Sequence, residues 1–277
     1  MSKPAHKASS AARRARRKLA RWLAPELEAE LKETRRKLKS TRSQLRRARD
    51  EAAYDLPDRV EEAIGRARAE HLTYLKPNHL RDLAAIVQEL ERKQVPGLVI
   101  EAGTARGGSA IVMAAAKAPA RPMKVYDVFG MIPPPGEQDG ADVHRRYAEI
   151  AGGGAKGVGG DTYYGYRHDL YGEVTESFAR LGFPVDENNV ELIQGLFEDT
   201  IQLDEPVAFA HLDGDWYEST MTCLTRIAPL LVPGGRIVLD DYSAWSGCRT
   251  AVDEYFADRA GFRLRPGAKM HVIRDPA

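Results

Sequence analysis

Ala210-His211-Leu212-Asp213-Gly214-Asp215-Trp216-Tyr217-Glu218-Ser219-Thr220, read with Val238-Leu239-Asp240-Asp241-Tyr242 downstream, decides the fold class. Each stretch is an apolar run that stops at a carboxylate: residues 207–212 run into Asp213, and residues 237–239 into Asp240 and Asp241. Short apolar runs bounded by turn residues read as buried parallel strands. In an open α/β sheet, ligands bind beyond the carboxyl ends of the strands. Neighbouring strands lie about 4.8 Å apart, so acids at adjacent strand ends can share one ion. Three carboxylates in one place repel unless a cation or proton sits among them. Asp213, Asp240 and Asp241 are therefore candidate ligands of a hard divalent metal, Mg2+ by preference, with open positions left over. A lone Asp at a strand end is more often a helix cap; the Asp240-Asp241 pair, complemented by Asp213 one unit earlier, favours the metal.

The chain has 277 residues, 43% of them hydrophobic, enough for one large or two modest domains with a normal core. Cys223 and Cys248 make no disulfide framework and point to buried thiols in a reduced, cytoplasmic setting. No apolar run approaches the ~18 residues of a membrane span, and no signal-peptide core follows the basic start. Charge is distributed unevenly. Residues 1–50 hold 17 Lys and Arg against 5 Asp and Glu, while the remainder holds 24 against 35. A basic arm is attached to an acidic globule.

The arm, residues 1–57, opens with small polar residues that read as disordered and continues as helix. Leu19, Trp22 and Leu23 share one face. After Pro25, Leu27, Leu31, Leu38 and Leu45 recur, the last three at heptad spacing with Thr34 and Thr41 between them, a thin coiled-coil seam. Three partners compete for it: a second copy of the chain, giving a homo-oligomer; an anionic membrane surface, met peripherally; and nucleic acid. Nucleic acid ranks last, because no aromatic interleaving or base-reading motif accompanies the charge. A solvated helix without a partner remains open.

Pro57 and Asp58 end the arm, and residues 58–277 form the second domain. Amphipathic helices over residues 59–72 and 79–93 lead to a first strand, Leu98-Val99-Ile100-Glu101-Ala102-Gly103. It opens into Gly103-Thr104-Ala105-Arg106-Gly107-Gly108-Ser109 and a helix. A Gly-rich turn lets a ligand approach backbone, and the helix N-terminus favours a carboxylate or phosphate. The second strand ends at Asp127, twenty-four residues after Gly103, where an acid accepts hydrogen bonds from a ribose diol. These features imply a nucleoside-bearing cofactor. The dinucleotide fingerprint is only partly matched, since Ala105 stands where a glycine is required.

Residues 130–171, glycine-rich and carrying Tyr163, Tyr164, Tyr166 and His168, read as a mobile lid over the cofactor mouth or as plain disorder. The third strand, residues 190–194, ends at Gly195, with Phe197 placed for an adenine ring or for the core. Asp213 ends the fourth strand, Pro233-Gly234-Gly235 reads as a tight turn into the fifth, and a helix and two short strands finish the chain. This order specifies an α/β protein with a doubly wound, seven-stranded Rossmann-like sheet.

Taken together, Glu101-Ala102-Gly103, Gly107-Gly108-Ser109, the run from Leu212 to Thr220, Pro233-Gly234-Gly235 and Asp240-Asp241-Tyr242 resemble the macrocin/mycinamicin sugar O-methyltransferase family over residues 95–258. The resemblance implies a class I methyltransferase that uses S-adenosylmethionine and Mg2+ to methylate a hydroxyl of a sugar, glycosylated or other polyhydroxylated small molecule. It implies that Asp213, Asp240 and Asp241 are the metal ligands. Glu101, Gly103 and Ser109 would grip the methionine part of the cofactor and Asp127 its ribose, with Ala102, Thr104, Gly195 and Phe197 completing the cofactor set. The long loop at 130–171 and the basic arm depart from the family core.

Methyl transfer from a sulfonium is an in-line displacement that needs an alkoxide-like nucleophile. Chelation by a metal lowers the hydroxyl pKa and fixes its orientation, and a neighbouring base takes the proton. Asp213 is the candidate base, with His211 or His168 behind it; a hydrogen-bonded core histidine is the competing reading of His211. Two other functional classes stay open at this point: a nicotinamide-dependent oxidoreductase, which leaves the Asp triad unexplained, and a non-catalytic scaffold acting through the basic arm.

Overall fold

Leu98–Ala102 (β1) and Val207–Leu212 (β4) are buried at every position, the signature of strands covered on both faces. In the computed structural model, which describes residues 30–38, 40–41, 54–267 and 269–276, they lie side by side at the centre of one seven-stranded sheet. The other strands are β2 (Met123–Asp127), β3 (Val190–Gln194), β5 (Leu231–Leu239), β6 (Phe262–Pro266) and β7 (Met270–Arg274), and the order is β3-β2-β1-β4-β5-β7-β6. The first five strands run parallel; β7 is antiparallel to β5, and β6 is antiparallel to β7.

The helices are α1 (Asp58–Ala69), α2 (Pro77–Arg92), α3 (Gly108–Ala116), α4 (Ala141–Ala151), α5 (Leu170–Arg180), α6 (Phe197–Thr200), α7 (Tyr217–Ile227) and α8 (Ser246–Phe256). Apolar stripes of α1, α2, α3 and α5 share a core with Val99, Val125 and Val238. Those of α7 and α8 share another with Leu98, Ile100, Ala210 and Ile237. The chain therefore leaves β1 towards one face through α3 and leaves β4 towards the other through α7. Between two such diverging connections the strand ends open into a crevice, the place where this fold binds ligands.

Residues 130–171 are an ordered cover rather than a featureless loop: they contain α4 and two 3-10 turns (Val158–Gly160 and Tyr164–Tyr166), and their Ile132, Val143, Ile150 and Tyr163 share a small apolar core with Trp216. Two carboxylates clip this cover onto helix N-termini. Asp139 accepts from the Tyr217 amide at the start of α7 (2.9 Å), and Asp142 accepts from the Ser246 amide at the start of α8 (3.0 Å). Each satisfies an otherwise orphaned N–H and stands at the positive end of a helix. The expected turn at Pro233-Gly234-Gly235 lies inside β5. Val207 pairs with Leu231 but Phe209 pairs with Arg236, so the intervening residues bulge, with Gly234 at φ +77°.

Backbone contacts divide the chain into two units, residues 1–54 and 55–277. In the first, residues 30–38 and 40–41 are helical, and Leu31 and Leu38 of the heptad seam are exposed. The rest of the expected arm, including Leu19, Trp22, Leu23, Leu27 and Leu45, lies outside the described residues. Among the described residues no helix is long and apolar enough to cross a membrane.

Gly103 marks the point where β1 and β4 approach too closely for a side chain. Its φ is +87°, and a Cβ there would stand 2.1 Å from the carbonyl oxygen of Asp213. Gly103→Ala should cost about 2–4 kcal/mol in urea unfolding, from overpacking plus left-handed strain. Gly153→Ala, also at positive φ but with nothing within 4 Å, should cost only about 1 kcal/mol. Equal losses at the two sites would remove the close approach as the reason for glycine.

Candidate active site

Glu101 near the end of β1 stands opposite His211 of β4 because the parallel ladder pairs them. Side-chain alternation puts both on the sheet face of Val99, away from Ile100 and Ala210. His211 Nδ1 lies 2.8 Å from Glu101 Oε1, and its Nε2 lies 3.7 Å from Asp240 Oδ1. Thr104 Oγ1 donates to the other Glu101 oxygen at 2.5 Å. Glu101 and His211 are both fully buried. Burial opposes a charge on the imidazole, but Asp240 and Glu101 outweigh it and raise the pKa to about 9.

Asp127 ends β2 and organises the Gly-rich loop. One of its oxygens accepts from the amides of Thr104 (2.7 Å) and Ala105 (3.2 Å), the other from the amide of Phe129 (2.7 Å). Burial pushes this carboxyl up to about 6 in spite of those bonds. Ala105 and Phe129 both hold positive φ, a strain concentrated where the loop meets the crevice.

At the ends of β4 and β5 the carboxylates converge. Asp213, Asp215 and Asp241 each offer an oxygen, and these oxygens lie within 4.8 Å of one another. Burial, then the neighbouring Asp240 and Asp241, pushes Asp213 well above the usual carboxylate range; burial, then Asp241, does the same to Asp215. Asp241 is raised as well, chiefly by burial. Asp240 shifts the other way: burial acts on it too, but His211 and Lys269 outweigh it and hold its pKa down. Lys269 Nζ is 2.5 Å from Asp240 Oδ2 and donates to the Asp240 carbonyl at 2.9 Å. Asp240 Oδ1 and Asp241 Oδ2 are buried without a hydrogen-bond partner among the described residues. An all-oxygen donor set with orphaned lone pairs fits a hard divalent cation.

Two cavities meet here. The larger, about 320 Å³, is lined by Gly103, Ala105, Asp127, Leu196 and Phe197 on one side and by Ile132, Arg146, Tyr163, Tyr164, Trp216 and Trp245 on the other. Asp213, Asp215, Asp240 and Asp241 form part of its wall. The smaller, about 230 Å³, is lined by Thr73, Tyr74, Lys76, His79, Thr104, Ser109, Asp213, Asp240 and Lys269. Of the residues expected from sequence, Gly103, Asp127, Phe197, Asp213, Asp240 and Asp241 reach the larger cavity, and Thr104 and Ser109 reach the smaller. Glu101, Ala102, Gly195 and His211 line neither, and His168 is exposed outside both.

Asp215 was not singled out by sequence reasoning, although it lies two residues after Asp213. Its left-handed backbone (φ 56°) turns the chain after Gly214, and Trp245 Nε1 holds one of its oxygens at 2.9 Å. Trp216 and Trp245 meet edge to face at 6.0 Å, and Trp216 Nε1 donates to the Pro133 carbonyl of the cover at 3.0 Å. The signal that could have found Asp215 is the Asp-Gly-Asp repeat itself, since a glycine between two acids permits both to face one crevice.

A family model described as macrocin O-methyltransferase (TylF) matches residues 8–261. The mycinamicin III 3''-O-methyltransferase of Micromonospora griseorubida is 33% identical over 198 residues, 68% of this chain and 71% of that protein. The 8-demethyl-8-(2,3-dimethoxy-alpha-L-rhamnosyl)-tetracenomycin-C 4'-O-methyltransferase of Streptomyces olivaceus is 32% identical over 207 residues, 73% and 69% of the two chains. Among solved structures, the O-methyltransferase NovP superposes with a TM-score of 0.59 at 28% identity, covering 74% of this chain and 83% of its own.

The His211 arrangement has a measurable consequence. Because the folded pKa of about 9 exceeds the unfolded value of 6.5, its stabilisation is complete below pH 6.5 and is lost as pH rises through 9. The loss should reach on the order of 3 kcal/mol. Thermal unfolding of metal-free protein should show stability falling between pH 7 and pH 9 and a flatter profile for His211→Gln. Comparing the two also removes the opposite contribution of Lys117, whose pKa burial lowers to about 8. Parallel profiles for the two proteins would mean that His211 is neutral in the fold.

Proposed function

The chain belongs to the macrocin O-methyltransferase family, and from that membership we propose that it methylates a hydroxyl of a sugar or glycosylated metabolite with the help of a divalent cation, Mg2+ foremost. O-methyl transfer and the use of S-adenosylmethionine come with the family. The observation that carries the metal and the acceptor is the convergence of Asp213, Asp215 and Asp241 beneath an aromatic-walled cavity that also contains the cofactor loop. The relative whose name includes a rhamnosyl group supports a sugar acceptor, and a cavity wall that includes Trp216, Trp245, Tyr163 and Tyr164 suits a ring with one apolar side.

Asp213 and Asp241 would hold the cation, with Asp240 contributing Oδ1, which makes no hydrogen bond, while Lys269 keeps the other oxygen. When bound, that cation would lower the pKa of the acceptor hydroxyl and orient it. Thr104 and Ser109 in the smaller cavity, with Gly103, Asp127 and Phe197 in the larger, would bind the cofactor. Asp127 would do so in part indirectly, by fixing the Thr104 and Ala105 amides.

Asp215 is the proposed proton acceptor, replacing the sequence-based expectation of Asp213. Burial raises its pKa, which makes it a stronger proton acceptor than an ordinary carboxylate, and Trp245 occupies one oxygen and leaves the other for the proton. S-adenosylmethionine, when bound, would supply the methyl group, its sulfur leaving with the bonding pair as the hydroxyl oxygen takes the carbon, and Asp215 would take the hydroxyl proton. The walls of Ile132, Tyr163 and Trp216 keep water from competing. Neither a nicotinamide enzyme nor a scaffold accounts for four carboxylates at the floor of one cavity.

Incubation with methyl-labelled S-adenosylmethionine and a panel of glycosylated metabolites, with chelator and with Mg2+, tests the proposal. Label should enter a glycoside only when Mg2+ is present, and transfer in excess chelator would overturn the metal role. Asp215→Asn should lower kcat by about a hundredfold or more, the size expected for loss of a general base, while S-adenosylmethionine affinity stays within about threefold. Near-normal turnover in that variant would return the proton to another group.

A further inference from the structure

Lys269 reaches the acid cluster from outside both the strand-end pattern and the cofactor loop. It lies just before β7, which runs antiparallel to β5, so the sheet returns the chain to the end where Asp240 sits. Its ammonium contacts Asp240 twice, at the carboxylate Oδ2 (2.5 Å) and at the carbonyl (2.9 Å), and its side chain is only 17% exposed. An exposed lysine–aspartate pair is worth little, but at this depth the charge is poorly screened. The pair holds Asp240 by Oδ2, while Oδ1 is buried without a hydrogen bond and faces His211 Nε2 at 3.7 Å.

We propose that Lys269 is a resident counter-ion of the acid cluster: it shares Asp240 with the divalent cation, weakens the cation's binding, and so keeps the site in exchange with free metal instead of permanently loaded. The inference rests on the metal reading given above. The physical reason is charge balance. His211 sits between Glu101 and Asp240, and Lys269 sits on the far oxygen of Asp240, so an ion placed against Asp213, Asp240 and Asp241 meets an ammonium one carboxylate away. Two like charges separated by so short a path repel strongly in a partly buried site. The same ammonium lowers the cost of gathering four acids when no metal is present.

Mn2+ is the probe, followed by the electron paramagnetic resonance of the free ion and by calorimetry, without acceptor and without turnover. Lys269→Gln removes the charge but keeps a donor for the Asp240 carbonyl; Lys269→Arg keeps the charge. The glutamine variant should bind Mn2+ about tenfold more tightly than the natural chain or better, and the arginine variant should bind like the natural chain. Without metal, Lys269→Gln should melt below the natural chain, and saturating Mn2+ should narrow that gap.

Equal or weaker Mn2+ binding by Lys269→Gln, with the natural chain binding normally, would overturn the counter-ion role and leave the metal reading intact. Absence of Mn2+ binding by all three proteins would overturn both. Binding by Lys269→Gln alone would support the counter-ion role in its strongest form. Loss of S-adenosylmethionine affinity with Mn2+ affinity unchanged would assign the ammonium to the cofactor, which also borders it in the smaller cavity, and would overturn the proposal.

Discussion

Like charges at the carboxyl ends of adjacent parallel strands repel, and the arrangement of this molecule follows from how that repulsion is managed. β4 and β5 are neighbours in the ladder, so Asp213 and the Asp240-Asp241 pair are brought together by strand pairing and not by their own attraction. Each acid receives a different answer. Asp240 is held between His211 and Lys269 and keeps its charge easily; in Asp213, Asp215 and Asp241 burial wins and they shift towards the neutral form. Three acids that resist ionisation together are what a divalent cation relieves. The Glu101–His211–Asp240 chain ties this relief to β1, the strand that opens into the cofactor loop.

Backbone geometry is subordinate to that convergence. Gly103 lets the cofactor loop pass against the Asp213 carbonyl, and the left-handed residues Ala105, Phe129 and Asp215 cluster around the same crevice. Strain of this kind costs about 1–3 kcal/mol per residue and persists only where surrounding bonds hold it. Here the Asp127 carboxylate supplies those bonds to the loop, and Trp245 supplies one to Asp215. The cover of residues 130–171 is secured by Asp139 and Asp142 on two helix N-termini, so the aromatic wall of the cavity is built by capping interactions on the helices that follow the acids.

Much of this was legible in the chain. The strands, their doubly wound order and the three terminal acids were readable because each is a local pattern: an apolar run, then a turn or a carboxylate. The same locality explains the failures. Residues 152–160 are so rich in glycine that they suggested a mobile loop, while the amphipathic helix Ala141–Ala151 just before them went unread. His211 shares a face with Asp213 by alternation, yet alternation cannot say that Glu101 on the next strand fills the space in front of it. Asp215 depends on one left-handed turn, and Lys269 on a hairpin that folds back across the sheet edge. Neither conformation leaves a periodic trace in the sequence.

The central claim is that the acid cluster is built to be completed by a divalent cation. Calorimetric melting with and without saturating Mg2+, from about pH 5 to about pH 8, tests it without any assumption about the acceptor. The raised carboxyls bind protons at the acid end and metal once they ionise, so the Mg2+-dependent rise in melting temperature should be small near pH 5 and grow towards pH 8. A melting temperature indifferent to Mg2+ across the whole range would contradict the account.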